Sequence, residues 1–352
     1  MFDDKKKDLA ERQLDQVSDV DTSCMCTCMY YTSILNNLQE EIEQRFFDKK
    51  RQTDVLGAVY SKLDMTYRSC RVYECGSFLE FKVTEEQAKL QRANFCRDRL
   101  CPMCNWRRSL KIFGQASKVM DVLQNEGYQF LFLTLTVRNC SAAELPATVQ
   151  ALFDGWRFLY NKSKEFKTAV AGTFRSLEVK RNFDGLSAWC GTYHPHLHCI
   201  LAVDSDYFKH NYISQKRWTE LWRKAVGLDY DPIVHIQKVY LKDSTGKKQT
   251  ADIDAKKAIV EATKYAVKGS DYLDGEDLET SVETTQHLLD ALTNRRLCGW
   301  TGCFQKVRKL LELDDCEDGD LIHIDDDSMR EDVACMIVRY AWRAGAYVKI
   351  AE

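Results

Sequence analysis

The sequence predicts an α+β fold: a β-sheet drawn from the middle third of the chain, with helices against one face. Three observations predict it. YQFLFLTLTV (128–137) is a near-continuous apolar run of about ten residues, as in a strand central to a sheet. TFRSLEVKRN, HLHCILAV and VHIQKVYL have the alternation and β-propensity of further strands. The segments between them carry apolar residues at helical spacing.

Taken in order, residues 1–65 are polar and helical in pattern (LNNLQEEIEQRFFDKKR), an amino-terminal extension. Residues 66–112 form a Cys-rich region that includes a strand-like GSFLEFKV. NWRRSLKIFGQASKVMDVLQNEG reads as a helix ended by Gly127. LPATVQALFDGWRFLYNKSKEF and QKRWTELWRKAV are helix-periodic, and DAKKAIVEATKYAVKG reads as a helix ended by Gly269. The sheet domain spans 113–272. Residues 273–352 form a helical, acidic carboxy-terminal region, with helices near 284–294, 303–313 and 328–343. No internal repeat or low-complexity tract is present.

With 352 residues, 45% hydrophobic and 29% charged, the chain can bury one large core or two to three smaller ones. Four prolines and sixteen glycines exclude a fibrous chain. No apolar run reaches the length of a membrane span, and MFDDKKKDLAERQ lacks the apolar core of a secretory signal, so a cytoplasmic protein is expected. Fifteen cysteines in that reducing compartment point to metal where they cluster. Cys140, Cys190 and Cys335 read as small buried hydrophobes, and Cys24, Cys26 and Cys28 suit no tetrahedral site. The net charge of −3 does not by itself indicate nucleic acid. Charge is unevenly placed, however: residues 66–118 hold eleven Lys/Arg against five Asp/Glu, and residues 312–332 hold eleven acids and one arginine. The basic stretch can bind DNA locally; the acidic one reads as a solvated face.

Cys96, Cys101 and Cys104 fall within nine residues, spaced x4 and x2, directly before a basic helix. Zinc takes four thiolates in a tetrahedron, and a Cys-x2-Cys turn supplies two from one loop. Cys75 is preferred as the fourth ligand because Gly76 permits a tight turn; Cys70 competes. A site closed by four thiolates is structural. It would place Arg97, Arg99, Arg107 and Arg108 rigidly, which suits phosphates.

Tyr193-His194-Pro195-His196-Leu197-His198 holds three of the seven histidines. On a strand His196 and His198 point to one face, close enough to share a cation. Two imidazoles need an oxygen ligand to hold Mg²⁺ or Mn²⁺, and Glu178 in SLEVK, flanked by Leu177 and Val179 on the other face, is the candidate. Farther on, Glu261, Tyr265 and Lys268 recur at i, i+4 and i+7, one helical stripe, with Ile259, Ala262 and Ala266 roughly opposite. A phenol beside a metal-held phosphate can attack it in line.

ECGSFLEF with FCRDRLCPMCNWRRSLK, then FLTLTV, HPHLH and EATKYAVK, in this order, resemble the motifs of replication initiators of Gram-positive rolling-circle plasmids, within the HUH endonuclease superfamily. The resemblance covers roughly residues 66–272. It implies a central antiparallel, ferredoxin-like sheet of about five strands, with the tyrosine helix across its metal-bearing face. It implies nicking of the double-strand origin by Tyr265 through a 5′-phosphotyrosine, hydrolysis directed by Glu261 at termination, and a metal held by His196, His198 and Glu178. The implied partners are origin DNA with a single-stranded or cruciform nick site, and a host helicase and polymerase. A relaxase or single-tyrosine transposase shares this chemistry. A zinc-dependent DNA-binding regulator without enzymatic activity is the reading from a different class.

Overall fold

The computed structural model describes residues 22–240, 253–264, 268–273, 277–324 and 335–350, with side chains from Thr32 onward. The chain divides into two compact units interleaved in sequence. One takes residues 1–48, 76–94 and 327–352; the other takes 49–75 and 95–326.

The smaller unit contains helix α1 (Thr22–Glu41), a π-helical turn (Ile42–Phe46) and a four-stranded sheet; α2 (Phe47–Lys62) follows the turn and from Lys49 belongs to the larger unit. Strands β1 (Phe78–Val83) and β2 (Ala88–Ala93) form a hairpin. Two later strands complete the sheet, β9 (Met336–Arg343) and β10 (Ala346–Ile350), in the order β10-β9-β1-β2, antiparallel throughout. Leu79, Phe81, Val83, Val338 and Tyr340 are buried on one face, where Phe81 meets Phe46 edge-on and Tyr340 hydrogen-bonds Gln39. The helix expected near 328–343 is therefore a strand from Met336. Its Val338 and Tyr340 alternate inward at period two, and that pattern prevails.

The larger unit is built on a six-stranded sheet. Its strands are β3 (Gln129–Thr136), β4 (Gly172–Arg181), β5 (Tyr193–Val203), β6 (Val234–Tyr240), β7 (Ile253–Asp254) and β8 (Cys298–Thr301), ordered β7-β6-β3-β5-β4-β8. All neighbours are antiparallel except β6 and β7. The apolar run that reads as a central strand is β3, paired on both sides.

Seven helices accompany this sheet: α3 (Thr66–Glu74), α4 (Pro102–Asn125), α5 (Leu145–Lys162), α6 (Lys164–Ala169), α7 (Tyr207–His210), α8 (Gln215–Val226) and α9 (Ala255–Ala262). Two more follow, α10 (Leu278–Leu292) and α11 (Gly302–Leu310). They cover both faces, not one. On the face of Ser176, Phe130 and Phe174, the Ser176 hydroxyl donates to the Ala262 carbonyl of α9, and Phe304 of α11 meets Phe130. On the other face Arg175 lies over Phe153 of α5, and Tyr193 bonds His287 of α10. The sheet is apolar on both sides, so each side needs a cover. The result is a mixed α+β fold with flanking helices.

Helix α9 stops at Ala262, earlier than its periodicity suggests. The Ala262 carbonyl accepts a tertiary bond from the Ser176 hydroxyl. Lys268 is extended and opens a 3-10 turn, Gly269–Asp271. Glu261 and Lys268 thus do not share one helical stripe.

Leu197 is fully buried, pairs with Leu135 and Leu177, and faces away from His196 and His198. Leu197→Ala is expected to cost about 3 kcal/mol in urea unfolding, with divalent-cation binding at His196 and His198 retained.

Candidate metal centres

Strand register assembles the first centre. Glu178 pairs directly with His196, and Ser176 with His198; β3 lies along the other side, with Thr136 opposite His196 and Thr134 opposite His198. Even-numbered side chains of β4 and β5 share a face, so the carboxylate and both imidazoles converge. Glu178 Oε2 lies 3.0 Å from His196 Nε2 and 2.8 Å from His198 Nε2, and the two nitrogens are 3.1 Å apart. Ligands bound at about 2.0–2.1 Å stand about 3 Å apart at adjacent positions of a cation. The three donors therefore fit one ion without rearrangement.

All three residues are buried, Glu178 to 1% exposure. Among the described residues its second oxygen, Oε1, has no hydrogen-bond partner, and the Lys180 ammonium lies 3.5 Å away. An orphaned buried carboxylate oxygen is costly, and a cation would satisfy it. His196 Nδ1 faces the His194 carbonyl at 3.1 Å, which places the hydrogen on Nδ1 and leaves Nε2 free for a metal. His198 Nδ1 meets Thr134 Oγ1 at 3.3 Å, and Phe132 stacks on its ring. Burial alone would raise the Glu178 carboxyl, but hydrogen bonds and charge from His196 and His198 outweigh it and hold the group well below the usual carboxylate range. Burial lowers His198, as does the neighbouring His196, while Glu178 and Glu261 pull it back up. An ionised carboxylate with an imidazole that favours neutrality is the state a divalent cation requires.

The second centre joins Cys75, at the end of α3, with Cys96, Cys101 and Cys104. Sulfur–sulfur distances are 3.6 Å (Cys75–Cys104), 3.7 Å (Cys96–Cys104) and 3.5 Å (Cys101–Cys75). Four thiolates at 2.3 Å from a tetrahedral metal would be about 3.8 Å apart. Backbone N–H groups of Cys96, Arg97 and Asp98 donate to Cys75, Cys104 and Cys96 respectively, which favours thiolates. Cys101 caps α4, Pro102 occupies its first turn, and Gly76 takes the left-handed conformation (φ 68°) right after Cys75. Cys70 is exposed and outside the cluster; Cys190 and Cys335 are also exposed, whereas Cys140 is buried.

Glu261 and Lys268 are described, and Tyr265 lies outside the described residues. Glu261 ion-pairs with Lys264, a partner that reading the sequence missed although the i, i+3 spacing offered it. Asp271 went unnoticed too. Burial is the main cause raising its carboxyl, and the charge of Glu178 adds to the rise. His194 turns to Asn139, with Nδ1 2.9 Å from Asn139 Oδ1, and takes no part in the cluster.

The arginines require a correction. Arg107 and Arg108 are buried. Arg107 donates to the Leu321 and Ile322 carbonyls, and Arg108 to those of Glu317, Asp98 and Arg97. Lys111 pairs with Asp314 at 2.5 Å. Arg99 donates to the carbonyls of Leu292 and Arg295 and lies 3.8 Å from Glu317. The acidic stretch, read as a solvated face, is over 314–322 a strap on α4, and it takes up the charge expected to meet phosphate. Of the four arginines only Arg97 is exposed, although it too reaches the Asp318 carbonyl at 3.4 Å.

Two outcomes are expected. Glu178→Gln should weaken divalent-cation binding by more than about tenfold in titration calorimetry, that being the least lost even with an outer-shell partner. Arg108→Ala should lower stability by about 3 kcal/mol in chemical unfolding, because several buried carbonyls lose their donor.

A family model described as "Replication protein" (Rep_1) matches residues 87–348. A protein named "Protein rep" from Bacillus sp is 39% identical over 287 residues, 76% of this chain and 89% of its own. A "Protein rep" from Lentilactobacillus hilgardii is 34% identical over 317 residues, 88% of this chain and 96% of its own. One from Streptococcus pneumoniae serotype 2 is 37% identical over 267 residues, 73% and 76% respectively. No solved structure matches. Among the described residues no helix is long and apolar enough to cross a membrane. With a family model spanning most of its length and relatives aligned over most of theirs, the chain belongs to the replication-protein family, in the HUH superfamily that its motif order resembles.

Proposed function

We propose that this protein initiates rolling-circle replication of a plasmid by nicking one strand of its double-strand origin, and that it closes the strand at termination. The observation that carries the reading is the buried Glu178–His196–His198 cluster, with donor atoms within 3.1 Å of one another, in a member of the replication-protein family. Two imidazoles and a hard oxygen suit Mg²⁺ or Mn²⁺; four thiolates suit structural Zn²⁺. The sheet of the larger unit is read as a ferredoxin-like HUH core, with the nicking chemistry within residues 113–272.

Glu178, His196 and His198 would hold the divalent cation. That ion supplies Lewis-acid polarisation of the scissile phosphate and a counter-charge for its transition state. Tyr265 is the nucleophile. Its oxygen bonds to phosphorus as the bond to the 3′ oxygen breaks; the phenolic proton leaves, and the departing strand gains a proton as its 3′-hydroxyl. Lys268 neutralises a phosphate oxygen. Glu261, whose charge is felt at His198, accepts a proton from the water that ends the cycle. Arg97 is the remaining arginine offered to DNA. The nick site would be single-stranded or cruciform, the setting cytoplasmic, and a host helicase and polymerase would extend the freed 3′ end.

A relaxase or transposase shares the chemistry, but the description of the matching family model, "Replication protein", favours replication. A purely structural second site, as in a zinc-dependent regulator, would call for four closed ligands. Among the described residues this cluster has three.

The reading is tested by incubating the protein with origin single strand and Mn²⁺ and running a denaturing gel. A protein–DNA adduct should form, and Tyr265→Phe should abolish it; no adduct on any origin strand would sink the proposal. His196→Ala and His198→Ala should remove nicking while circular dichroism stays native. Glu261→Ala should still nick yet fail to terminate. Because His198 must be neutral to bind metal, and burial holds its titration below the ordinary imidazole range, nicking should persist through that range and fall only at more acid pH.

A further inference from the structure

The loop joining β4 to β5, residues 182–192, has no role in the chemistry above. It is ordered by its own hydrogen bonds. Asn182 N donates to Thr192 O, and Gly191 N to Asn182 O. The side chains of Asn182, Asp184 and Ser187 take the N–H groups of Asp184, Leu186 and Trp189 respectively. Its apolar side chains nevertheless face water: Leu186 is 100% exposed, Trp189 57% and Phe183 40%. Single exposed apolar residues are ordinary, but three on one short, self-bonded loop form a patch of the kind that marks an interaction surface.

The loop is tied to the metal-bearing strands. Three residue pairs separate its root from the Glu178–His196 pair, about 10 Å at the rise of a strand, or about three stacked nucleotides. His194, the histidine outside the cluster, bonds Asn139, whose amide donates to Thr192 Oγ1 at the loop's end. Cations lie at the root. Lys180 is half-exposed, and the exposed Arg138 lies over Tyr230 at 3.7 Å; Arg181, over the Phe183 ring at 5.5 Å, is already ion-paired with Glu283 at 2.8 Å.

We propose that this loop is a stacking platform for unpaired bases of the single strand beside the scissile phosphate, with Trp189 and Phe183 each taking one base face. The proposal rests on the nicking reading. Exposed aromatic faces interleaved with cations match a chain of flat bases on a polyanion. Duplex bases hide their faces in the stack, so the occupant is single-stranded. Proximity to the metal-bearing strands favours DNA over a second protein.

The test uses the full chain with no divalent cation added and no chelator, so that binding is read without cleavage and the cysteine cluster keeps its metal. Anisotropy is measured with a labelled oligothymidylate, an abasic strand with the same number of phosphates, and a duplex. Trp189→Ala should weaken oligothymidylate binding by about 5- to 150-fold and leave the abasic strand and the duplex unaffected. Trp189→Phe should recover most of the loss. Equal weakening on the abasic strand, or none on oligothymidylate, overturns the platform. So does a Trp189→Ala chain that binds oligothymidylate normally but loses a dimer in sedimentation, which would make the patch a self-association surface. An unchanged thermal midpoint certifies the variant's fold. The two readings fail separately: a wild-type chain that forms the tyrosine adduct while Trp189→Ala binds normally loses only the platform. A chain with base-dependent binding and no adduct loses only the nicking.

Discussion

One register between two antiparallel strands underlies the metal cluster. With Glu178 opposite His196 and Ser176 opposite His198, a carboxylate and two imidazoles meet on one face. A slip of one residue would turn Glu178 to the other face and leave the histidines without their oxygen. The opposite face resists the slip, since Leu177, Leu197 and Leu135 are fully buried there and would lose that packing. Apolar packing on one side of the sheet thus sets polar geometry on the other.

The cysteine cluster acts on the same unit by another route. It fixes the start of α4 through Cys101, Pro102 and Cys104. The Tyr272 hydroxyl donates to the Leu100 carbonyl within that knuckle, and a Cβ at Gly269 would meet Gln52 and Pro102. Residues just after the tyrosine motif are thereby tied to the thiol cluster, while Ala262, before it, is tied to β4 through Ser176. The thiol cluster thus bears on how that motif is anchored.

What could be read from the sequence was what short-range spacing determines. His-x-His on a strand and Cys-x2-Cys on a turn state their geometry directly, and Glu178 followed from parity. The reading failed where a distant partner decides. The charges of Arg107 and Arg108 do not reveal whether they meet a phosphate or the chain's own carbonyls near residue 320. Helix α9 ends where a serine on another strand captures a carbonyl. Strand β9 follows an acidic run and pairs with β1 from far earlier in the chain, so its neighbours in sequence do not show that the segment is a strand.

That last pairing has a consequence for biosynthesis. The β1–β2 hairpin, complete at Ala93, leaves the ribosome well before its neighbour β9, which starts at Met336. A hairpin alone is marginal in water, and pairings between remote segments close slowly. The smaller unit therefore completes its sheet after the larger one has its strands in hand, and a polypeptide cut short before residue 336 could own both metal clusters and still lack half of that sheet.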